Sequence, residues 1–317
     1  MRKYLVWQLP LLALLVSSGP AVEKVVPNDP LFKFQFSFNN PGGKLAIPSY
    51  SYKPAAKDYE SVKGIDPDLL RSWAVTTGKK DVVVAVLDDG FFYNHEDIRD
   101  NIWKNPGESG PDKDGYPKET NGIDDDGNGH VDDVIGWDFA FDDPDPDSYV
   151  FDGMDATRIQ PYWHSISALG IIGAGNSAKN VDLKENCSYP SCFENENILN
   201  VAEIDFKGDL FRYKIDDKIW GSNYGEKNVD IAAIGMNYTT FLKNNCSVYA
   251  FQGGTSNSTP VVAGVAALVL SVRPELKAPE LKRILMDSVT PLPALKGKIG
   301  SGGMVNAYQA LQLALKK

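Results

Sequence analysis

Three short apolar runs and two longer apolar-rich segments set the pattern of the chain. Residues 81–87 read DVVVAVL and are closed by Asp88, Asp89 and Gly90. A continuous run of this kind predicts a strand covered on both faces, as in a parallel sheet. Residues 198–202 and 229–233 predict two more strands of the same type. Residues 255–272 are rich in Ala and Val and predict a helix. Residues 278–289 predict a second helix, amphipathic, with Leu281, Ile284, Leu285 and Val289 on one face. Buried strands alternating with helices give an α/β fold, a mostly parallel sheet flanked by helices. Phe32, Phe34, Phe36 and Phe38 alternate as in a strand, between loop-like flanks. Residues 105–150 are acidic and rich in Gly and Pro, too polar for core, and no internal repeat is visible.

The N-terminus has its own grammar. Arg2 and Lys3 precede a mostly apolar stretch to Val16, and Ser17, Ser18, Gly19 and Ala21 follow. That order predicts a secretory signal peptide over residues 1–21, with an interfacial anchor as the alternative. The run is shorter than the ~20 residues that cross a bilayer, and no other stretch suggests a membrane span. A Pro- and Lys-rich lead fills residues 22–80, and the main domain is expected over 81–317. An exported protein follows, secreted or extracytoplasmic.

Composition narrows the partners. Of 317 residues, 43% are hydrophobic and 23% charged, a globular composition, and the formal net charge is −10. The acidic balance argues against nucleic acid as a partner and suits a protein that holds cations. Cys187, Cys192 and Cys246 are the three cysteines. Two can pair and one is left over, but spacing does not say which. His and Cys never cluster as in a zinc site.

Acyl transfer needs a hydroxyl nucleophile, a base, an orienting carboxylate and an oxyanion donor. The chain has three histidines: His95, His130 and His164. Asp88 ends a buried run, where its carboxylate can face a site at the carboxyl edge of a sheet. Ser256 opens a helix, where backbone N–H groups and the dipole favour negative charge. A Thr-Ser pair there is also an ordinary cap. Pro260 is expected within the tolerant first turn.

These segments resemble those of the subtilases. VVVAVLDDGFFYNHEDI is similar to the family's aspartate motif and puts Asp88 on the catalytic aspartate. HSISALG is similar to the histidine motif and puts His164 on the base, with Ser165 and Ser167 as departures. GIIGAGNSAKN is similar to the oxyanion motif and puts Asn176 on the donor. GGTSNSTPVVAGVAALVLS is similar to the serine motif and puts Ser256 on the nucleophile, with Asn257 and Val262 as departures. The likeness extends to VPNDPLFKFQF, NILNVAEID and GSNYGEKNVDIAAIG, so it covers most of residues 26–317, in the family's order of Asp, His, Ser. It implies a secreted serine endopeptidase with a protein or peptide substrate. Many members carry a pro-domain, for which residues 22–25 leave no room.

NGIDDDGNGHVDD carries the D-x-D-x-N-G spacing of a calcium loop, with Asp124, Asp126, Asn128 and Asp132 as candidate ligands. Ile135 stands where an EF-hand has its Glu. Some subtilases resemble this stretch, with a stabilising calcium.

One spacing breaks the family pattern. His164 and Asn176 are 12 residues apart, where the family holds several strand–helix units, so the sheet is expected to be short of strands. Residues 170–174 would have to continue a helix from His164 and also form the strand leading to Asn176. As a helix, 12 residues would carry the chain ~18 Å away. The chain as written is therefore expected to have little activity. The rival reading is a non-catalytic relative, a peptide-binding or calcium-dependent interaction module.

Overall fold

In the computed structural model, the described residues are 23–47, 57–88, 90–139, 141–147, 170–243 and 246–316. A hairpin comes first, β1 (Gly43–Ile47) against β2 (Lys57–Ser61), then a one-turn helix α1 (Leu69–Ser72). Further along the chain come β3 (Ile171–Gly173), β4 (Leu199–Ile204) and the hairpin β5 (Arg212–Ile215) with β6 (Lys218–Gly221). The short strand β7 (Ile231–Ile234) precedes a third hairpin, β8 (Asn237–Lys243) with β9 (Cys246–Gln252). Helices α2 (Thr255–Val272) and α3 (Ala278–Asp287), the two-residue strands β10 (Thr290–Pro291) and β11 (Gly303–Met304), and helix α4 (Ala307–Lys316) complete the chain.

The central sheet has the order β10-β11-β7-β4-β3. Its β3–β4, β4–β7 and β7–β11 pairs are parallel; only β10 runs antiparallel. Alternation along the strands covers both faces. Val201, Ile231 and Ala233 meet Val262, Val265, Val269, Ile284 and Leu311 of the helices. Ala202, Ile204, Ala232 and Ile234 meet Leu45 and Ile47 of the first hairpin, with Phe206, Ile299 and Met304. The described helices thus lie on one face, and the β1–β2 hairpin and loops cover the other. Helix α2 is long and apolar enough to cross a membrane by length and composition, against the sequence expectation; its buried face, however, is the centre of this core.

The lead segment is built into the fold. Leu45, Ile47, Ile65 and Leu69 are core residues, and Ala307 N–H donates to the carbonyl of Pro67 at 2.8 Å. Its phenylalanines correct the expected strand. Phe32–Phe34 is a 3-10 turn, because Asp29 Oδ1 accepts the Leu31 N–H at 2.7 Å and starts a turn. Phe32 packs on Trp73 instead.

The larger correction is at residues 81–87. This run is not a strand among the described residues. It is irregular and largely solvent-exposed, with Val83 at 45% and Leu87 at 75% of full exposure. An apolar run becomes a buried strand only where a neighbouring edge receives it, and the sheet as described ends at β3. Residues 171–173, by contrast, settle their double expectation as strand. Cys187 and Cys192 form a disulfide.

Candidate functional site

Strand β3 ends at Gly173, and the turn that follows from Ala174 is fixed by Asn223. Its side chain donates from Nδ2 to the Ala174 carbonyl at 2.8 Å and accepts at Oδ1 from the N–H groups of Ser177 and Lys179, at 3.1 and 3.0 Å. Its own N–H donates to Gly175 O at 2.7 Å. Gly175 has φ +94, and a Cβ there would lie 2.6 Å from Asn223 Nδ2, so only glycine fits. The sequence reading missed Asn223, although GSNYG was legible as part of the resemblance.

This turn is latched to the start of α2. Gly175 N–H donates to Thr255 Oγ1 at 3.2 Å, and Thr255 N–H donates to Asn176 Oδ1 at 2.9 Å. With Oδ1 taken by a backbone donor, the donating end of the Asn176 amide is Nδ2. It lies 3.7 Å from the position of a Cβ built on Gly254. Gly254 is the N-cap of α2 at φ +142, and its carbonyl accepts the N–H groups of Asn257 and Ser258. Thr255, Ser258 and Thr259 are buried, while Ser256 is half-buried. Ser258 and Thr259 anchor the turn by donating to Ala233 O and Thr255 O, at 3.0 and 2.8 Å. Pro260 falls at the sixth helical residue, beyond the first turn, so α2 forgoes its bond to the carbonyl of residue 256.

The structure therefore brings Asn176 and Ser256 to one helix N-terminus. Asp88 lies in an exposed bend at the end of the 81–87 arm. Its loop returns toward the first turns of α2: Phe91 and Phe92 share a cavity of about 240 Å³ with Asn257, Pro260 and Val261. His164 lies outside the described residues. His95 is buried, accepts the Asp97 N–H at Nδ1 and stands edge-on to Tyr249. His130 stacks on Trp137.

Behind the first turn of α2 lies a carboxyl that the sequence reading passed over. Glu203, on β4, is 1% exposed and accepts the Gly254 N–H at 2.8 Å. Burial pushes it up to about 8, so it is protonated at neutral pH. A lone Glu in the apolar segment NILNVAEID was the available signal.

The acidic loop groups differently from its spacing. Carboxylate oxygens of Asp124, Asp126 and Glu108 lie within 4.8 Å of one another. Glu108 is fully buried; Oε1 accepts the N–H groups of Asp125 and Asp126, at 2.7 and 3.0 Å, and Oε2 is buried without a hydrogen-bond partner. An orphaned, buried carboxylate oxygen beside two more carboxylates fits a hard cation such as calcium. Asp124 is held below the usual carboxylate range by the Gly129 N–H first, with Gly127 and Asn128 adding to it. Two expected ligands turn elsewhere. Asn128 donates to Asp126 and Asp133, and Asp132 accepts the Gly122 N–H. Glu108 was missed because it lies well upstream of the loop motif.

Comparisons with known proteins point to one family. The Peptidase_S8 family model, described as the subtilase family, matches residues 143–302. One subunit of the subtilase cytotoxin of Escherichia coli is 40% identical over 99 residues, covering 31% of this chain and 28% of that protein. Subtilisin-like protease 1 of Plasmodium falciparum is 24% identical over 316 residues, covering 74% of this chain and 44% of that protein. An extracellular protease of Xanthomonas campestris is 32% identical over 154 residues, covering 46% of this chain and 23% of that protein. The chain thus spans less than half the length of each of these curated relatives.

Proposed function

Because this chain belongs to the subtilase family, with the serine-protease type of function that membership brings, we propose that it carries the machinery of a secreted serine endopeptidase. The supporting observation is the latch of Asn176 and Gly175 onto Thr255, which sets an amide donor beside the first turn that carries Ser256. In this reading Ser256 Oγ attacks the peptide carbonyl while His164 takes its proton. Asp88 orients the imidazole, and Asn176 Nδ2 donates to the oxyanion, as do N–H groups at the helix start. His164 then returns the proton to the leaving amine, and water releases the acyl group from Ser256 by the same path. The substrate is a protein or peptide, and the extracellular setting of the Xanthomonas relative supports export.

Calcium is part of the same proposal. Glu108, Asp124 and Asp126 would hold it, and its charge would offset the repulsion among the three carboxylates. Asp126 and Glu108 then tie the loop after Asn105 to the 124–133 turn.

The exposed 81–87 arm favours a second reading for the chain as written, a peptide-binding relative with little turnover. Among the described residues the arm pairs with no strand, so no sheet register fixes the backbone that leads to Asp88. Labelling by a fluorophosphonate separates the two. Slow labelling, abolished by Ser256→Ala and accelerated when a strand–helix segment from a longer relative is inserted before Ile171, is the expected result. No labelling even after insertion would overturn the peptidase reading, and robust casein hydrolysis by the chain as written would overturn the second.

A further inference from the structure

We infer that Glu203 is a positioning residue for the nucleophile: its carboxyl group fixes the backbone of Gly254, and through it the first turn of α2 that carries Ser256. This rests on the peptidase reading above and adds to it a residue outside the triad.

The carboxyl group occupies a slot lined by backbone. Oε1 accepts the Gly254 N–H at 2.8 Å. A Cβ on Gly235 would lie 2.7 Å from that oxygen and one on Gly253 would lie 2.9 Å from it. Glycine at both positions leaves room for the carboxyl between the end of β7 and the nucleophile loop. The strand that supplies it is tied to the oxyanion turn as well. Glu203 N–H donates to Ser222 Oγ at 2.9 Å, Ser222 Oγ donates to Asn223 O at 2.8 Å, and Asn223 holds residues 174–179. Glu203 therefore joins two parts that must keep register: the turn bearing Asn176 and the cap bearing Ser256.

The chemistry of the slot calls for an acceptor rather than a charge. Gly254 is at φ +142 and forms the N-cap of α2. Its N–H needs a partner, because a buried backbone donor left unpaired is destabilising. A buried acid is neutral at pH 7 when its folded pKa lies above that pH, as it does here. A neutral acid and an amide present the same carbonyl oxygen, so Gln is a faithful substitute, whereas Leu fills the slot and gives Gly254 nothing to bond.

The test compares the full chain with Glu203→Gln and Glu203→Leu at pH 7. It reads the melting temperature, the rate of fluorophosphonate labelling at Ser256, and amide hydrogen exchange of residues 253–257. Leu is expected to lower the melting temperature, since the Gly254 N–H loses its partner, while slowing labelling by about 10- to 100-fold and speeding exchange at Gly254. Gln is expected to stay within about threefold of the parent in both rates, against that larger loss. Equal labelling in all three proteins would overturn the inference, as would a Gln variant as slow as the Leu one. If Leu prevents folding, Glu203→Met takes its place, since an unbranched chain adapts to the slot. A parent that does not label at all tells against turnover by the chain as written but leaves this test standing on hydrogen exchange. Gly254 exchange faster in the apolar variant alone would then support the role, and unchanged exchange would overturn it.

Discussion

The backbone N–H of Thr255 donates to Oδ1 of Asn176 at 2.9 Å, so the amide of one motif is oriented by the helix of another, 79 residues later in the chain. The contact makes the two ends of the Asn176 amide separable by mutation. Asn176→Asp keeps an acceptor for Thr255 and loses the donor, adding negative charge where an oxyanion would form. It should leave the fold intact and lower fluorophosphonate labelling by about 10²–10³-fold, the cost of one oxyanion donor. Asn176→Ala should match it in labelling and also lower the melting temperature, which differential scanning calorimetry would record.

Calcium should stabilise the fold through Glu108, Asp124 and Asp126. At free calcium about 100 times Kd the gain is about 2.7 kcal/mol. EDTA should lower the melting temperature, and Asp126→Ala or Glu108→Gln should remove that sensitivity. No change on chelation would defeat the assignment. Asp132→Asn, in a residue turned toward Gly122, should retain the calcium response.

Stability should depend on pH through Glu203. The group is held at about 8 against an ordinary value of 4.5, with burial the main cause and the charge of Asp205 adding to it. The folded chain thus binds this proton more tightly than the unfolded chain. Its contribution is fully present below about 4.5 and is lost as pH rises through about 8. Urea denaturation across that window should show the parent losing stability relative to Glu203→Gln, with a slope of at most about 1.4 kcal/mol per pH unit. Parallel curves for the two proteins would count against a protonated Glu203.

The 81–87 arm should behave as exposed surface. Leu87→Ser is expected to change stability by no more than about 0.5 kcal/mol, as for other surface sites. It should also reduce binding of a hydrophobic dye, since Leu87 is 75% exposed. A loss of about 2–5 kcal/mol, the order seen for truncating a core leucine, would mean that the arm is seated in a core after all.

Local pattern carried the elements whose environment lies in their own sequence. Helix α2 follows from its run of Ala and Val, and β4 and β7 follow from apolar runs that find partners on both sides. Asn176 after a strand and Ser256 at a helix start were legible for the same reason: a turn or a cap is decided within a few residues. What depends on distant neighbours was not legible. The run at 81–87 has the residues of a buried strand, but burial requires an edge to receive it, and only the assembled sheet determines whether one is there. Glu108 joins Asp124 and Asp126 because a loop folds back, which no spacing rule within 121–133 contains. Glu203 looked like a stray charge in a strand; the fold gave it three glycines and a backbone N–H, and burial made it an acid that keeps its proton.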